Sequence, residues 1–222
     1  MSKPLVLVVG ASGRTGQRVV RALRRHGFPV RALVRDASKA SLVAGEGVEV
    51  LIGDVTDEAD IRRALTGVTY LVSALGSKGP TDAAHIELIE FTTIAELAQL
   101  AKEMGVQHFV LCSSMGVEIP EMIPPLAEIL RQKRRGELAL EHSGVPFTIV
   151  RPGGLTDEPG GGGVAIARTL PGFGMIARDD VAEVMVQALL QPEAKNKIAE
   201  IINAPDAGPA DRPGLFAEVA SG

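Results

Sequence analysis

Short apolar runs alternate with amphipathic segments along the first two thirds of the chain. The apolar runs are rich in valine, isoleucine and leucine and predict six buried strands, at residues 5–9, 28–34, 48–52, 68–73, 107–112 and 146–150. The segments between them have helical spacing and predict five helices, over residues 14–25, 36–45, 57–65, 82–104 and 124–144. Crossovers of this length join parallel strands, with helices on both faces of the sheet. The pattern therefore predicts an α/β fold with a doubly wound parallel sheet.

The pattern becomes less regular in the last third of the chain. The later segments predict, in order, a glycine-rich loop, a helix, a strand and a short helix, at residues 153–163, 178–190, 198–202 and 215–219. A chain of 222 residues has the size of one domain. We therefore expect a single domain over residues 1–222, with a doubly wound core at 1–150 and a small substrate-side lobe at 151–222.

Composition and charge narrow the class of protein. The formal net charge is −4, so no overall basic field would attract a nucleic acid. The single cysteine, Cys112, excludes an internal disulfide and is typical of a reducing compartment. No apolar run is long enough to cross a bilayer, the N-terminus has no signal pattern, and the four histidines lack metal-ligand spacing. These observations predict a cytoplasmic protein without a metal site and without a nucleic-acid or membrane partner.

The first strand leads into a glycine-rich turn, VLVVGASGRTG, at residues 6–16. Gly10, Gly13 and Gly16 allow backbone torsions closed to other residues and let a ligand approach the main chain. The helix that follows offers unpaired N–H groups and a positive dipole end, which suit a pyrophosphate. Strand, turn and helix together predict a dinucleotide site, to which Ser12, Arg14 and Thr15 also contribute side chains; a tight turn without a ligand is the alternative.

The residue after the second strand indicates which dinucleotide is bound. An NAD site has an acid about 20 residues beyond the glycines, and this position is Arg35. A guanidinium there would pair with a 2′-phosphate, and Arg14 is expected on the same side of the adenosine. The two cations favour NADP over NAD. Asp36 keeps NAD open as the alternative, because a count shifted by one residue would place this acid at the position assigned to Arg35.

The ends of the third and fourth strands should complete the cofactor wall. Asp54 and Val55 are expected beside the adenine, although Asp54 could instead be only a helix N-cap. The end of the fourth strand is expected under the ribose, at Ser73, Ala74, Leu75 and Gly76.

Five sequence segments together resemble the atypical short-chain dehydrogenase/reductase group. They are GASGRTG, GDVTD, LCSSMG, KRRGELALEHSGVPFTIVRPGGL and RDDVAEVMVQALL. The most similar subgroup comprises single-domain NAD(P)-binding proteins of plants and cyanobacteria. This subgroup is related to the flavin/biliverdin reductases and to NmrA-like redox sensors. The resemblance implies a Rossmann fold and NADP binding. It leaves the reaction open, because the group contains both reductases and cofactor sensors.

The resemblance aligns Lys133 with the family lysine and places Ile129 at the position of the usual catalytic tyrosine. Isoleucine cannot donate a proton. Lys133 would bind the nicotinamide ribose; the alternatives are a snorkelling lysine or a helix-surface pair with Glu137. Ser114 would face the substrate, with Ser113 nearer the cofactor, unless this pair only caps the strand.

The segment after the sixth strand resembles the one that contacts the cofactor carboxamide, at Pro152, Gly153 and Gly154. Ser114 and Lys133 are the candidate catalytic residues. Without the tyrosine, we expect an NADPH-dependent reductase of a small conjugated acceptor such as a flavin, quinone or tetrapyrrole, because these acceptors need no strong protein acid. The alternative is a non-catalytic NADP(H)-binding sensor or scaffold. A monomer and a homodimer are both compatible with the sequence.

Overall fold

The computed structural model describes residues 3–77 and 82–220. Its strands are β1 Val6–Val9, β2 Val30–Val34, β3 Val48–Ile52, β4 Tyr70–Ser73, β5 His108–Cys112, β6 Phe147–Pro152, β7 Gly154–Thr156, β8 Val164–Ala167, β9 Met175–Ala177 and β10 Lys197–Asn203. Eight of them form one sheet in the order β3-β2-β1-β4-β5-β6-β10-β8, and β7 pairs with β9 in a second sheet. All neighbours in the large sheet are parallel except β10 and β8. The doubly wound parallel sheet is confirmed.

Helices cover both faces of the large sheet. They are α1 Arg14–Arg25, α2 Glu58–Leu65, α3 Ala83–Glu87, α4 Thr93–Glu103, α5 Ala127–His142 and α6 Arg178–Leu190. Successive residues of a strand point to opposite faces, so Val6 and Val8 pack with α1 and α6 while Leu7 and Val9 pack with α2, α4 and α5. Both faces are therefore apolar, which explains the nearly continuous apolar runs in the sequence.

The last third of the chain is more closely joined to the core than the sequence indicates. Strand β10 pairs with β6, and β8 pairs with β10, so the predicted six-stranded sheet gains two strands. These pairings satisfy backbone groups that β6 would otherwise expose at the sheet edge. The predicted loop at residues 153–163 begins with β7, which pairs with β9. The substrate-side region is therefore built onto the edge of the same sheet.

Three predicted helices differ in form. The segment predicted at 36–45 is a 3₁₀ helix over Ala37–Leu42, and the last one is a 3₁₀ turn over Leu215–Glu218. The long helix predicted at 82–104 is α3 and α4 joined by a π-helical turn, Leu88–Thr92. The loop expected before it, at 76–80, lies partly outside the described residues. The π-helical turn is a local insertion of the kind often found at functional sites.

Candidate functional site

The glycine turn brings the start of α1 against the end of β4. Gly10 has φ +72°, and a Cβ there would lie 2.6 Å from the Ala74 carbonyl oxygen. A Cβ at Gly16 would overlap the Gly10 carbonyl oxygen. The Gly13 N–H donates to the Gly10 carbonyl oxygen at 3.0 Å, and Gly13 precedes the first turn of α1. The turn thus requires glycine at two positions and leaves the helix N-terminus open to a phosphate.

Two cavities meet at this turn, on the carboxyl edge of the sheet. The smaller one, here called the β3-side cavity, has a volume of about 480 Å³ and contains Ser12, Arg35, Asp54 and Val55 in its wall. The larger one, the β6-side cavity, has a volume of about 780 Å³. Both cavities are lined by Gly13, Ala74, Leu75 and Gly76. The two cavities form one cleft across the switch point of the sheet, where open α/β folds bind their ligands.

Two cations lie at the far end of the β3-side cavity. Arg35 is exposed and has no ion pair with any residue that the structure describes. Lys39, which the sequence analysis missed, lies beside it with its Nζ 3.8 Å from the Asp36 carboxylate. Hydrogen bonds from the Ser38 side chain and backbone lower the pKa of Asp36. Asp36 is thus engaged as a cap of the 3₁₀ helix, while Arg35 remains open to an anionic group.

Two of the predicted wall residues, Asp54 and Ser73, also form local hydrogen bonds. The Asp54 carboxylate accepts hydrogen bonds from the Thr56 N–H at 3.0 Å and the Thr56 hydroxyl at 2.9 Å, and Asp57 is the N-cap of α2. The alternative interpretation of Asp54 as an N-cap is therefore wrong. Ser73 is fully buried and lines neither cavity; its Oγ accepts a long hydrogen bond, 3.5 Å, from the Leu75 N–H. Ser73 therefore shapes the loop that forms the wall.

Arg14 does not share a cavity with Arg35. It lines the β6-side cavity together with Thr15, and its guanidinium lies 2.6 Å from the Asp157 carboxylate. Asp157 also pairs with Arg178 at 2.9 Å and Arg18 at 3.3 Å. Burial raises the pKa of Asp157, but these three cations lower it overall. The expectation that both arginines lie on the adenosine side is wrong, because the first turn of α1 directs Arg14 toward the loop after β7.

The β6-side cavity has an apolar outer wall. The side chains of this wall come from the β5–α5 connection, α5, β7 and the chain around β9: Met115, Met122, Ile123, Leu126, Ile129, Leu130, Leu155, Phe173 and Met175. Three of them remain largely exposed, with exposed fractions of 71% for Met122, 56% for Met175 and 54% for Phe173. A side chain on Gly153 would overlap the Gly174 carbonyl oxygen, so Pro152, Gly153 and Gly154 form a close-packed floor. Such a wall fits a flat apolar ligand.

The two serines after β5 both line this cavity, with different hydrogen bonding. The Ser114 hydroxyl donates to the Met115 carbonyl oxygen at 3.0 Å. Ser113 is only 6% exposed, and its Oγ has no hydrogen-bond partner among the described residues. A buried hydroxyl without a partner is costly, so Ser113 is the serine whose hydrogen-bonding capacity is left for a ligand.

Lys133 forms a buried ion pair with a residue that the sequence analysis did not select. Its Nζ lies 2.8 Å from Oε2 of Glu90, which is 3% exposed, and Oε1 of Glu90 accepts from the Ser77 N–H at 2.6 Å. Burial raises the pKa of Glu90 and lowers that of Lys133, but their mutual attraction reverses both effects. The pair therefore stays ionised. The alternative interpretation, a pair between Lys133 and Glu137, is wrong.

The local backbone explains how Glu90 reaches the lysine. Glu90 lies in the π-helical turn, whose extra residue changes the direction of its side chain relative to a regular helix. A Cβ at Gly136 would overlap the Glu90 carbonyl oxygen, so this glycine lets α5 approach the turn closely. A glycine inside a helix lowers its stability by about 1 kcal/mol relative to alanine, and the close packing of α5 on the π-helical turn compensates for this loss.

Glu137 instead forms a second buried ion pair, with Arg151 at the end of β6. The Arg151 guanidinium donates to both Glu137 carboxylate oxygens, at 2.9 and 2.6 Å, and also to Glu118 at 2.8 Å. Arg151 is 1% exposed and Glu137 is fully buried. Burial alone would lower the pKa of Arg151, but the two carboxylates raise it overall. This network connects α5 to the strand that ends at Pro152.

Comparison with known proteins identifies the family. A model of the family described as NAD(P)H-binding matches residues 10–192. The chain belongs to this NAD(P)H-binding family. Its similarity extends to a sanguinarine reductase of Eschscholzia californica, which is 35% identical over 92% of this chain and 90% of the relative. A chloroplastic protein of Arabidopsis thaliana, At2g37660, is 37% identical over 92% of this chain and 71% of the relative.

A solved structure confirms the fold of this NAD(P)H-binding protein. A putative NAD-dependent epimerase/dehydratase from Bacillus halodurans superposes with a TM-score of 0.87 at 27% identity, over 94% of this chain and 97% of the other. Within residues 3–77 and 82–220, no helix is both long and apolar enough to cross a membrane. In the same part of the chain, no three histidine, cysteine or acidic side chains are grouped to hold a metal ion. The cytoplasmic location stays a prediction, since the Arabidopsis relative carries a chloroplast designation.

Proposed function

We propose that the protein is an NADPH-dependent reductase of a flat, conjugated acceptor. The observation that carries the proposal is the β6-side cavity, whose wall is apolar and contains Ile129 at the position expected for the tyrosine. The relative named a sanguinarine reductase supports a planar aromatic acceptor. The sulfur atoms of Met122 and Met175 and the Phe173 ring suit contact with an aromatic plane.

The residues of the cleft fit a dinucleotide. The turn at Gly10 and Gly16 has the close packing that a phosphate cradle needs, and the α1 N-terminus is open beside it. Arg35 and Lys39 would hold the 2′-phosphate, and Lys133 would hold the nicotinamide ribose. The floor at residues 152–154 would hold the carboxamide. When bound, NADPH supplies a hydride.

The absence of a tyrosine hydroxyl restricts the acceptor. Reduction of a simple ketone produces an alkoxide, which needs a proton at once, and Ile129 cannot supply it. Quinones, flavins and tetrapyrroles spread the new charge over a conjugated system, and an aromatic iminium ion becomes neutral on receiving the hydride. The apolar cavity and the missing acid therefore favour the same class of acceptor.

The test is an acceptor panel followed by NADPH absorbance. We expect turnover with at least one planar acceptor among menadione, FMN, biliverdin and sanguinarine, and none with a simple aliphatic ketone. The Arg131→Ala variant serves as a control, because Arg131 is an exposed α5 residue outside both cavities. Tight NADPH binding without turnover on any acceptor would contradict the reductase proposal.

That negative outcome would favour a second function, a cofactor sensor without catalysis. Two observations support this alternative: Ile129 occupies the tyrosine position, and the Ser114 hydroxyl is already bonded to the Met115 carbonyl. A sensor needs the cofactor cleft but no acceptor. It would bind NADPH and NADP⁺ with different affinities while leaving every acceptor of the panel unchanged.

The cofactor preference is a separate prediction. The Arg35→Ala variant should bind NADPH about 10- to 100-fold more weakly, since a hydrogen bond to a charged group contributes about 1.5–3 kcal/mol. Its affinity for NADH should change little, because NADH has no 2′-phosphate. Calorimetric titration of both nucleotides measures the effect, with Arg131→Ala as the matched surface arginine. Equal affinities of the unmodified protein for NADPH and NADH would refute the preference.

A further inference from the structure

A third cavity, here called the small cavity, lies behind the wall of the β6-side cavity. Its volume is about 10 Å³, which corresponds to a single water molecule. Three polar residues, Glu90, Ser113 and Lys133, line it together with apolar neighbours from β5, α4 and the segment after β4. A buried water needs two to four polar partners, and this small cavity provides three polar side chains.

Ser113 lines both the β6-side cavity and the small cavity. Its Oγ is buried and has no partner among the described residues, as shown above. A hydroxyl can donate one hydrogen bond and accept others at the same time. Ser113 can therefore donate to a ligand in the β6-side cavity while it accepts from a water in the small one. Ser114 does not line the small cavity, and its hydroxyl donates to a carbonyl oxygen.

Lys133 is the proton-bearing group of the small cavity. One of its N–H groups is directed to Glu90, which leaves others for a water. The charged and titratable groups around it are Glu90, Cys112 and Glu137, of which Glu90 forms the direct ion pair. Burial raises the pKa of the Cys112 thiol to about 11, so Cys112 stays protonated and does not compete as an anion. Lys133 thus remains charged next to a site for water.

We propose that Ser113 delivers the proton to the reduced acceptor and regains it through a water held between Ser113 and Lys133. This inference rests on the proposed reductase function and deepens it. When bound, NADPH would supply the hydride that reduces the acceptor, and the acceptor oxygen or nitrogen that then carries the negative charge would need a proton. The acceptor oxygen or nitrogen takes the Ser113 hydroxyl proton, Ser113 takes one from the water, and the water takes one from Lys133. Lys133 regains its proton from solvent after the product leaves.

The relay differs from the missing tyrosine because it delivers a proton after the hydride, to an acceptor whose charge is already spread over a conjugated system. Ile129 removes a donor from the α5 side of the cavity, whereas Ser113 supplies one from the end of β5. Along this route Ser113 is 6% exposed and the Lys133 side chain is 15% exposed, so the proton comes from an ordered site rather than from bulk solvent. Acceptors that need a proton would depend on this route, and acceptors that need only a hydride would not.

The experiment compares two acceptors in the Ser113→Ala variant. Menadione needs a proton after hydride transfer, whereas sanguinarine, an aromatic iminium ion, needs none. We expect kcat with menadione to fall about tenfold or more, in the range of general acid catalysis. With sanguinarine kcat should change less than about threefold, and the Kd of NADPH should stay the same. The conservative Ser113→Thr variant, which keeps a hydroxyl, should restore menadione reduction.

The matched control is Thr93→Val. Thr93 is 1% exposed and also has a buried hydroxyl without a described partner, but it lines neither cavity. An equal loss for both acceptors in Ser113→Ala, or a loss for neither, would overturn the relay while the reductase function stands. The relay would also be overturned if only Ser114→Ala lost menadione reduction while keeping sanguinarine reduction. Failure of the unmodified protein to reduce any acceptor of the panel would instead overturn the reductase function itself.

Discussion

The Arg151→Met variant should be less stable to unfolding by about 3–5 kcal/mol, which is the usual cost of leaving one partner of a buried ion pair alone. Arg151 donates to both oxygens of Glu137, and neither side chain has more than 1% exposure. Removing the guanidinium leaves the Glu137 carboxylate buried, with Arg134 at 3.1 Å as its remaining cation. Chemical denaturation followed by circular dichroism measures the change.

The double variant Arg151→Met with Glu137→Leu separates charge from packing. Replacing both partners of a buried pair by apolar residues is often neutral or stabilising, so the double variant should recover most of the lost stability. Glu118 and Arg134 are partly exposed and can still pair with each other. A double variant as unstable as Arg151→Met would show that the loss comes from packing, contrary to this prediction.

The Gly16→Ala variant should bind NADPH at least about 100-fold more weakly, a loss of about 2.7 kcal/mol in binding free energy. The added methyl group would overlap the Gly10 carbonyl oxygen, so the turn must move. This movement displaces the Gly13 N–H and the α1 N-terminus, which we expect to bind the pyrophosphate. Calorimetry with NADPH measures the loss, and thermal unfolding checks that the variant is folded.

Gly45→Ala is the matched control for this prediction. Gly45 is exposed, and a Cβ there would meet no atom within 4 Å. Its substitution should leave the NADPH affinity unchanged. If Gly16→Ala bound NADPH as tightly as Gly45→Ala does, the glycine turn would not be the phosphate site.

The glycine turn and the sheet could be predicted because their signals are local. Three glycines directly after an apolar run allow few structures, and the alternation of strands and helices determines the winding of the sheet. Arg35 follows from counting along the chain. The additional strands β8 and β10 could not be predicted as part of the same sheet, because they follow an irregular region whose path depends on tertiary contacts.

The polar partners inside the site could not be predicted from spacing. Glu90 and Lys133 are 43 residues apart, and Glu90 reaches the lysine only because of a π-helical turn. In the sequence, Glu137 is the nearer partner for Lys133, at a spacing of four residues. The structure shows that Arg151 holds Glu137 instead. Such pairings are decided by burial, which a one-dimensional pattern does not contain.

Asp157 joins the N-terminal ends of α1 and α6 beside the β6-side cavity. Its carboxylate holds Arg14 at the start of α1 and Arg178 at the start of α6, while its own backbone directly follows strand β7. We therefore expect a displacement of the α1 N-terminus to be transmitted to the strand that supplies Leu155 to the wall of the β6-side cavity. Any coupling between nucleotide binding and acceptor binding that runs through this carboxylate must be equal in both directions.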